Sequence, residues 1–220
     1  MVAQRLSVVV PALNEACAIR AALEALAPLR ARGHEVIVVD GGSSDGTAEL
    51  AAGWCDRVLT APRGRALQMN AGARAARGDV LLFLHADTRL PPRADELVLD
   101  CPAWGRFDVR IEGRHRLLKV VAWAMNLRSR LTGIATGDQA IFVRRELFPG
   151  FPEIALMEDL ALCRMLKRID SPSCLRERVV TSGRRWEARG VLRTIVLMWR
   201  LRLLYFLGAS PDALARKYAR

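Results

Sequence analysis

Over about the first hundred residues, short β-branched runs alternate with stretches in which apolar positions recur at helical spacing. LSVVVP, EVIVVD, RVLTAP and DVLLFLHAD read as strands, and residues 14–26, 47–52 and 66–76 between them read as helices. VIVV and VLLFL contain no polar position. Both faces of those strands must therefore be covered, which calls for helices on each side of a mostly parallel sheet. Ile19, Leu23 and Leu26 mark the buried face of the first helix, with Asn14 placed to cap it and Pro28 to end it. In such a sheet the carboxyl edge gathers the chemistry.

Beyond Pro91-Pro92 the rhythm changes. A short helical segment precedes the alternating strand WGRFDVRIE, and an apolar helix follows at residues 117–127, then the loop TGIATGDQ and the strand AIFVRR. A further helix begins near Met157, a strand covers residues 178–181, and an apolar stretch runs from Val191 to Leu207. The pattern contains no linker, internal repeat or low-complexity tract.

Composition narrows the class. Of the 220 residues 51% are hydrophobic, enough to bury one core and too many for a disordered chain. Cys17, Cys55, Cys101, Cys163 and Cys174 form an odd, widely spaced set without a CxxC pair, as expected of free thiols in the core and not of disulfides or a zinc site. MVAQRLSVVVPALNE is too short and too soon broken by proline for a signal peptide, so the expected location is cytoplasmic. The net charge of +11 is unevenly spread: residues 176–220 hold eleven basic and three acidic side chains. Without a zinc knuckle, an RNP-like aromatic pair or a helix-turn-helix, that local basicity points to an anionic membrane or a phosphorylated substrate and away from nucleic acid.

Polar residues cluster where the strands end: Asn14 and Glu15 after the first, Asp40 with GGSSDGT after the second, His85-Ala86-Asp87 after the fourth. The loop from Asp40 to Thr47 offers backbone amides and hydroxyls to a base and ribose, while Asp45 reads as a residue that orders its own loop or caps the next helix. Neither GxGxxG nor GxxxxGK[ST] occurs, which weighs against dinucleotide and P-loop sites.

PALNE, VVDGGSSDGT, MNAGARAARGDVLLFLHADT and MEDLALCRML, in that order, resemble glycosyltransferase family 2, whose fold is GT-A; the likeness spans residues 6–185. GDQAIFVRR, the short chain and the missing membrane helices are more similar to a small bacterial subgroup of uncertain acceptor than to the processive synthases. The resemblance implies a Rossmann-like α/β sheet flanked by helices over residues 1–186, with residues 187–220 as a basic, apolar helical extension. It further implies transfer of a sugar from a UDP-sugar to an acceptor hydroxyl, with inversion and with Mn2+ or Mg2+ as cofactor.

Carried onto this sequence, the resemblance makes Asp40 the partner of uracil and Pro11, Ala12 and Glu15 the nucleoside cradle, with Gly41, Gly42, Arg65, Asn70, Gly72 and Ala86 in the same pocket. Asp87 stands where the last acid of a DxD motif holds the cation, and His85 replaces the first. A hard cation can draw its other ligands from phosphate and water, and would act as a Lewis acid on the departing diphosphate. Asp159, second of the Glu158-Asp159 pair at a helix start, is implied as the base that takes the acceptor's proton, with Glu158 as the alternative. Asp138 and Gln139 fall where donor sugar or acceptor is contacted. Arg184 and Arg185 offer guanidinium groups to phosphate and Trp186 a stacking surface.

Two rival readings remain open. A sugar-phosphate nucleotidyltransferase needs a glycine-rich, basic signature where PALNEACAIR stands; a catalytically silent nucleotide-binding protein is favoured by His85 and opposed by Asp87 and Asp159. In the apolar stretch from Val191, Arg193, Arg200 and Arg202 would each cost about 2.5–3.5 kcal/mol near a bilayer centre, which disfavours spanning. Arg189, Arg193 and Arg200 fall in one helical stripe, away from Trp199, Leu203 and Phe206, as in a helix lying in the membrane interface. Peripheral membrane contact with a lipid-linked acceptor is thus expected, the alternative being packing on the domain or in a homodimer.

Overall fold

The computed structural model describes residues 4–219. Strands β1 (Leu6–Ala12), β2 (Glu35–Asp40), β3 (Arg57–Thr60) and β4 (Val80–Phe83) lie in the order β3-β2-β1-β4 and are all parallel. Beyond β4 the sheet becomes mixed: β7 (Phe142–Arg144) runs antiparallel to it, and β6 (Trp104–Glu112), β8 (Ser173–Ser182) and the two-residue β5 (Thr88–Arg89) complete eight strands. Parallel pairing over the first half goes with the unbroken apolar runs at the centres of β1, β2 and β4, which are covered on both faces.

Alternation along the buried strands sorts the core into two layers. Val8, Val10, Val36 and Val38 face one side with α1 (Ile19–Glu24), α2 (Ala27–Ala31), α3 (Thr47–Ala52), α5 (Ala94–Leu99) and α6 (Leu117–Thr132). Val9, Ile37 and Val39 face the other with α4 (Arg65–Ala75) and α7 (Glu158–Leu166). A Cβ on Gly72 would meet Val9 at 2.3 Å and Val39 at 3.0 Å, so this glycine lets α4 lie close on the sheet. That contact is by itself sufficient reason for a glycine at this position.

The first helix also differs from expectation. It begins at Ile19 with no side-chain cap, because Asn14 sits at φ +53° and its side chain is spent on the amide of Ser44. Pro28, expected as a terminator, occupies the first turn of α2, where a missing N–H costs nothing. Cys55, Cys101 and Cys163 are buried, but Cys17 is exposed and Cys174 only partly covered; all five thiols are free.

Residues 187–220 were expected as a separate extension. Arg184 and Arg185 open the short helix α8 (Arg184–Arg189), Gly190 at φ +82° turns the chain, and α9 (Val191–Phe206) and α10 (Pro211–Ala219) follow. Leu201 and Leu214 pack with Leu156, Met157 and Leu160 into a third apolar cluster, under the start of α7. Because Gly190 intervenes, Arg189 belongs to α8 and stacks on Tyr218, outside the stripe expected with Arg193 and Arg200. Among the described residues no helix is long and apolar enough to cross a membrane.

Candidate active site

The loops after β1 and β2 are tied to each other before any ligand arrives. Asp40, buried at the end of β2, accepts from the amides of Gly42 (2.9 Å) and Ser43 (2.8 Å) and from the Ser43 hydroxyl. Ser43 also accepts from the amide of Asn14 at 2.9 Å, and Thr47 from that of Glu15 at 2.9 Å. Asp45 accepts from the amides of Ala16 (3.0 Å) and Thr47 (3.1 Å), and from the Thr47 hydroxyl. These donors, led by the Thr47 hydroxyl, hold its carboxyl below the usual range. It orders its loop and takes up the first amide of α3. Gly42 at φ +84° allows the turn that brings these amides together.

Glu15 closes this edge from the other side. Its buried carboxylate pairs with Arg185 at 2.5 Å and Arg184 at 3.3 Å, both projecting from the start of α8. Pro11, Ala12 and Gly41 lie directly beneath. Gln68, from α4, donates to the carbonyls of Ala12 (2.7 Å) and Val39 (2.9 Å) and packs against Gly41, fixing the two strand ends side by side.

A second cluster forms at the carboxyl end of β4. Asp159, partly exposed at the start of α7, accepts from the amides of Gly137 (3.0 Å) and Leu160 (2.8 Å). Glu158 beside it is buried, with Arg65 at 3.1 Å but no aligned hydrogen bond to the facing oxygen. Burial pushes the Glu158 carboxyl above its usual range; Asp159 adds to the rise, and Arg65 only partly offsets it. Met157, immediately before the pair, is held at φ +72°, a left-handed conformation costly for a side chain of this kind.

Across a narrow cavity lined by Arg65, Phe83, Gly137, Phe151, Glu158 and Asp159 stands His85. Its Nδ1 is 3.3 Å from Asp138, and its buried Nε2 lies against Gly137 without a partner. Desolvation alone would raise the Asp138 carboxyl, but the His85 ring holds it below the usual range. Asp87, two residues on, makes one contact, with the Thr88 hydroxyl at 3.4 Å, and so keeps its lone pairs for a ligand. Ala86 is buried between them.

Three expected site residues face elsewhere. Both ends of the Asn70 amide are spent on the backbone of Phe151, at 2.7 and 2.8 Å. Gln139 is fully buried, closing a capping box with Thr136 and donating to Ser129 at 3.0 Å, behind the loop that presents Asp138. Trp186 is partly buried, packed against the core. Gln68 and the His85–Asp138 pair were missed: a glutamine inside the run RALQMN carries no sign of the two strand ends it bridges.

Residues 7–109 match Glycosyl transferase family 2. An undecaprenyl-phosphate 4-deoxy-4-formamido-L-arabinose transferase of Pseudomonas paraeruginosa (strain DSM 24068 / PA7) is 30% identical over 155 residues, 63% of this chain and 45% of that protein. The chain therefore spans less than half the length of this curated relative. A mannosyltransferase from Pyrobaculum calidifontis, solved with GDP-Man and Mn2+, superposes with a TM-score of 0.63 at 23% identity, covering 98% of this chain and 69% of the other. Glucosyl-3-phosphoglycerate synthase from Mycobacterium tuberculosis, solved with Mn2+, UDP and phosphoglyceric acid, gives 0.57 at 20% identity over 81% and 69%. At these identities the likeness shows the fold, which is GT-A.

Proposed function

We propose, from the match of residues 7–109 to Glycosyl transferase family 2, that the protein moves a sugar from a UDP-sugar to an acceptor hydroxyl with inversion. The observation that carries the reading is the half-exposed Asp159 carboxylate, anchored by two amides beside His85, Arg65 and Asp138 at the sheet's carboxyl edge. Asp159 takes the acceptor's proton as that oxygen attacks the anomeric carbon and the bond to the diphosphate breaks. Its two anchoring amides fix the orientation of the carboxylate beside the cleft. Glu158 is a poorer candidate, because it is buried and its environment disfavours the charge a base must carry.

Asp40, Gly41, Gly42, Pro11, Ala12 and Ala86 form the floor on which the nucleoside would lie. Arg184 and Arg185 would leave Glu15 to meet the diphosphate, exchanging one anion for another at little electrostatic cost. The free carboxylate of Asp87 suits a divalent cation, as bound by the solved mannosyltransferase and synthase. Among the described residues no group of three His, Cys, Asp or Glu side chains converges, so most ligands would come from phosphate and water. Bound there, Mn2+ or Mg2+ would supply positive charge against the departing diphosphate. The basic last fifth of the chain, and a relative named for undecaprenyl phosphate, support a lipid-linked acceptor.

A screen of UDP- and GDP-sugars, reading nucleotide release with and without lipid extract, tests the proposal. UDP release from at least one UDP-sugar, accelerated by lipid, is expected. Release of GDP alone would move the donor to guanosine; a UDP-induced rise in melting temperature without release from any donor would favour the silent nucleotide-binding protein.

A further inference from the structure

Two helices leave a full face of large apolar side chains in water. On α6 these are Val120, Trp123, Leu127 and Leu131; on α9 they are Leu192, Val196, Trp199, Leu203 and Phe206, continued by Leu207. Trp123 is 64% exposed, Trp199 73% and Leu131 76%, so these are not core residues glimpsed at an edge. At 100° per residue the α9 set spans an arc of roughly 100°, opposite the buried Leu201, and the α6 set falls on one stripe of its own helix. The two helices are neighbours in the fold and touch each other. An apolar surface of this extent marks an interaction site.

We propose that α6 and α9 together form a docking face for the surface of an anionic phospholipid bilayer. Charge selects this occupant. Neither helix contains an acidic residue, while Arg193 and Arg200 border the α9 stripe on one side and Arg202 on the other, and exposed Arg116 and Lys119 stand beside that of α6. A second copy of the chain would bring the same basic borders face to face with no carboxylate on either helix to pair them. A bilayer with acidic headgroups satisfies both parts at once, taking the apolar stripes into the acyl boundary and the guanidinium groups at the phosphates. Tryptophans at 123 and 199 suit that boundary, being apolar in body and polar at one edge.

An open basin of about 560 Å3 lies where the two helices begin, lined by Arg114, His115, Arg193 and Glu187. Glu187 is turned onto the amides of Arg114 (2.5 Å) and His115 (3.0 Å), which leaves the basic side chains to face outward as a seat for a lipid phosphate. The expectation from sequence concerned α9 alone; α6, read there only as an apolar helix, is the new half of the surface. The docking does not depend on the transfer reading: vesicle binding without turnover, or turnover without vesicle binding, separates the two.

Cosedimentation of the full chain with phosphatidylglycerol and with phosphatidylcholine vesicles is the test. Binding to phosphatidylglycerol that weakens as salt is raised is expected, with Trp123→Glu and Leu203→Glu each lowering the affinity by about tenfold or more. Both positions are exposed, so an unchanged melting temperature certifies the fold of each variant. No binding to phosphatidylglycerol at low salt, equal binding to phosphatidylcholine, or full binding by Trp123→Glu overturns the two-helix anionic face. Loss of a solution dimer in these variants, without vesicle binding by the parent, assigns the face to a second copy instead.

Discussion

The carboxylates of the candidate site differ in how their charge is held, and the difference separates their roles. Asp159 has two amide donors and access to the cleft, so Asp159→Asn should leave UDP affinity nearly intact while lowering transfer by about a hundredfold or more. Isothermal calorimetry beside a turnover assay reads the two quantities apart; undiminished turnover with an inactive Glu158→Gln would move the base by one residue. Glu158 has its folded-state value raised above the ordinary 4.5 by burial, so its contribution to stability is present below that value and is lost as pH rises through the folded one. Glu158→Gln should therefore raise the melting temperature relative to the parent at neutral pH, with the gain vanishing below about 4.5. A gain that grew toward acid would refute the assignment. Asp87 makes only its weak contact with Thr88, so Asp87→Ala should abolish any strengthening of UDP binding by Mn2+ while leaving the metal-free affinity unchanged. Metal-dependent UDP affinity identical to the parent's would remove Asp87 from the cation. Asp40 could be picked out from the sequence because a polar residue ending an apolar strand signals its own position, whereas the Glu158-Asp159 pair stood out only through the family resemblance. The partners of those residues could not: His85 reaches Asp138 across 53 positions, and only the sheet brings them within 3.3 Å.

At the scale of elements, periodicity carried most of the first half of the fold, since strands with unbroken apolar centres and helices of one apolar face leave little choice of arrangement. The family resemblance, by contrast, pointed to residues that also serve the backbone. Asn70 and Gly72 sit on α4 among residues expected to line a pocket, yet one pins the backbone at Phe151 and the other admits Val9. Gly72→Ala should cost about 1–3 kcal/mol, because a methyl group 2.3 Å from Val9 must drive α4 off the sheet. Chemical denaturation measures this; a variant as stable as the parent would mean that α4 yields freely. The helix expected to start at Asn14 failed for a related reason. Helical spacing of Ile19, Leu23 and Leu26 was real, but the residues before Ile19 are used to bind the β1 and β2 loops together through Ser43, Ser44, Asp45 and Thr47. Those contacts join positions about thirty apart in the chain, beyond any local pattern.

For the molecule as a whole, the C-terminal helices face two ways, and the two faces make separable demands. Outward, α9 presents Val196, Trp199 and Leu203 to water; inward, Leu201 is fully buried with Leu156, Met157, Leu160 and Leu214. Met157 and Leu160 flank Glu158 and Asp159, so the last helices brace the start of α7 where the strained Met157 backbone must be held. The loops after β1 and β2 depend on other layers of core, through Gln68, Val39 and Ala12. Leu201→Ala should accordingly cost about 2–5 kcal/mol, the price of a cavity in a packed cluster. At roughly 2–4 °C per kcal/mol for a chain of this size, the melting temperature should fall by several degrees. Measured below that transition, the variant should transfer sugar several-fold more slowly with nearly parental UDP affinity, because the brace acts on the position of Asp159 and not on the nucleoside floor. Leu203→Glu, two residues away on the outward face, should do the opposite, sparing both melting temperature and turnover on a soluble acceptor. Equal losses of UDP affinity and rate in Leu201→Ala would show that the C-terminal helices support the whole domain evenly, with no particular hold on α7.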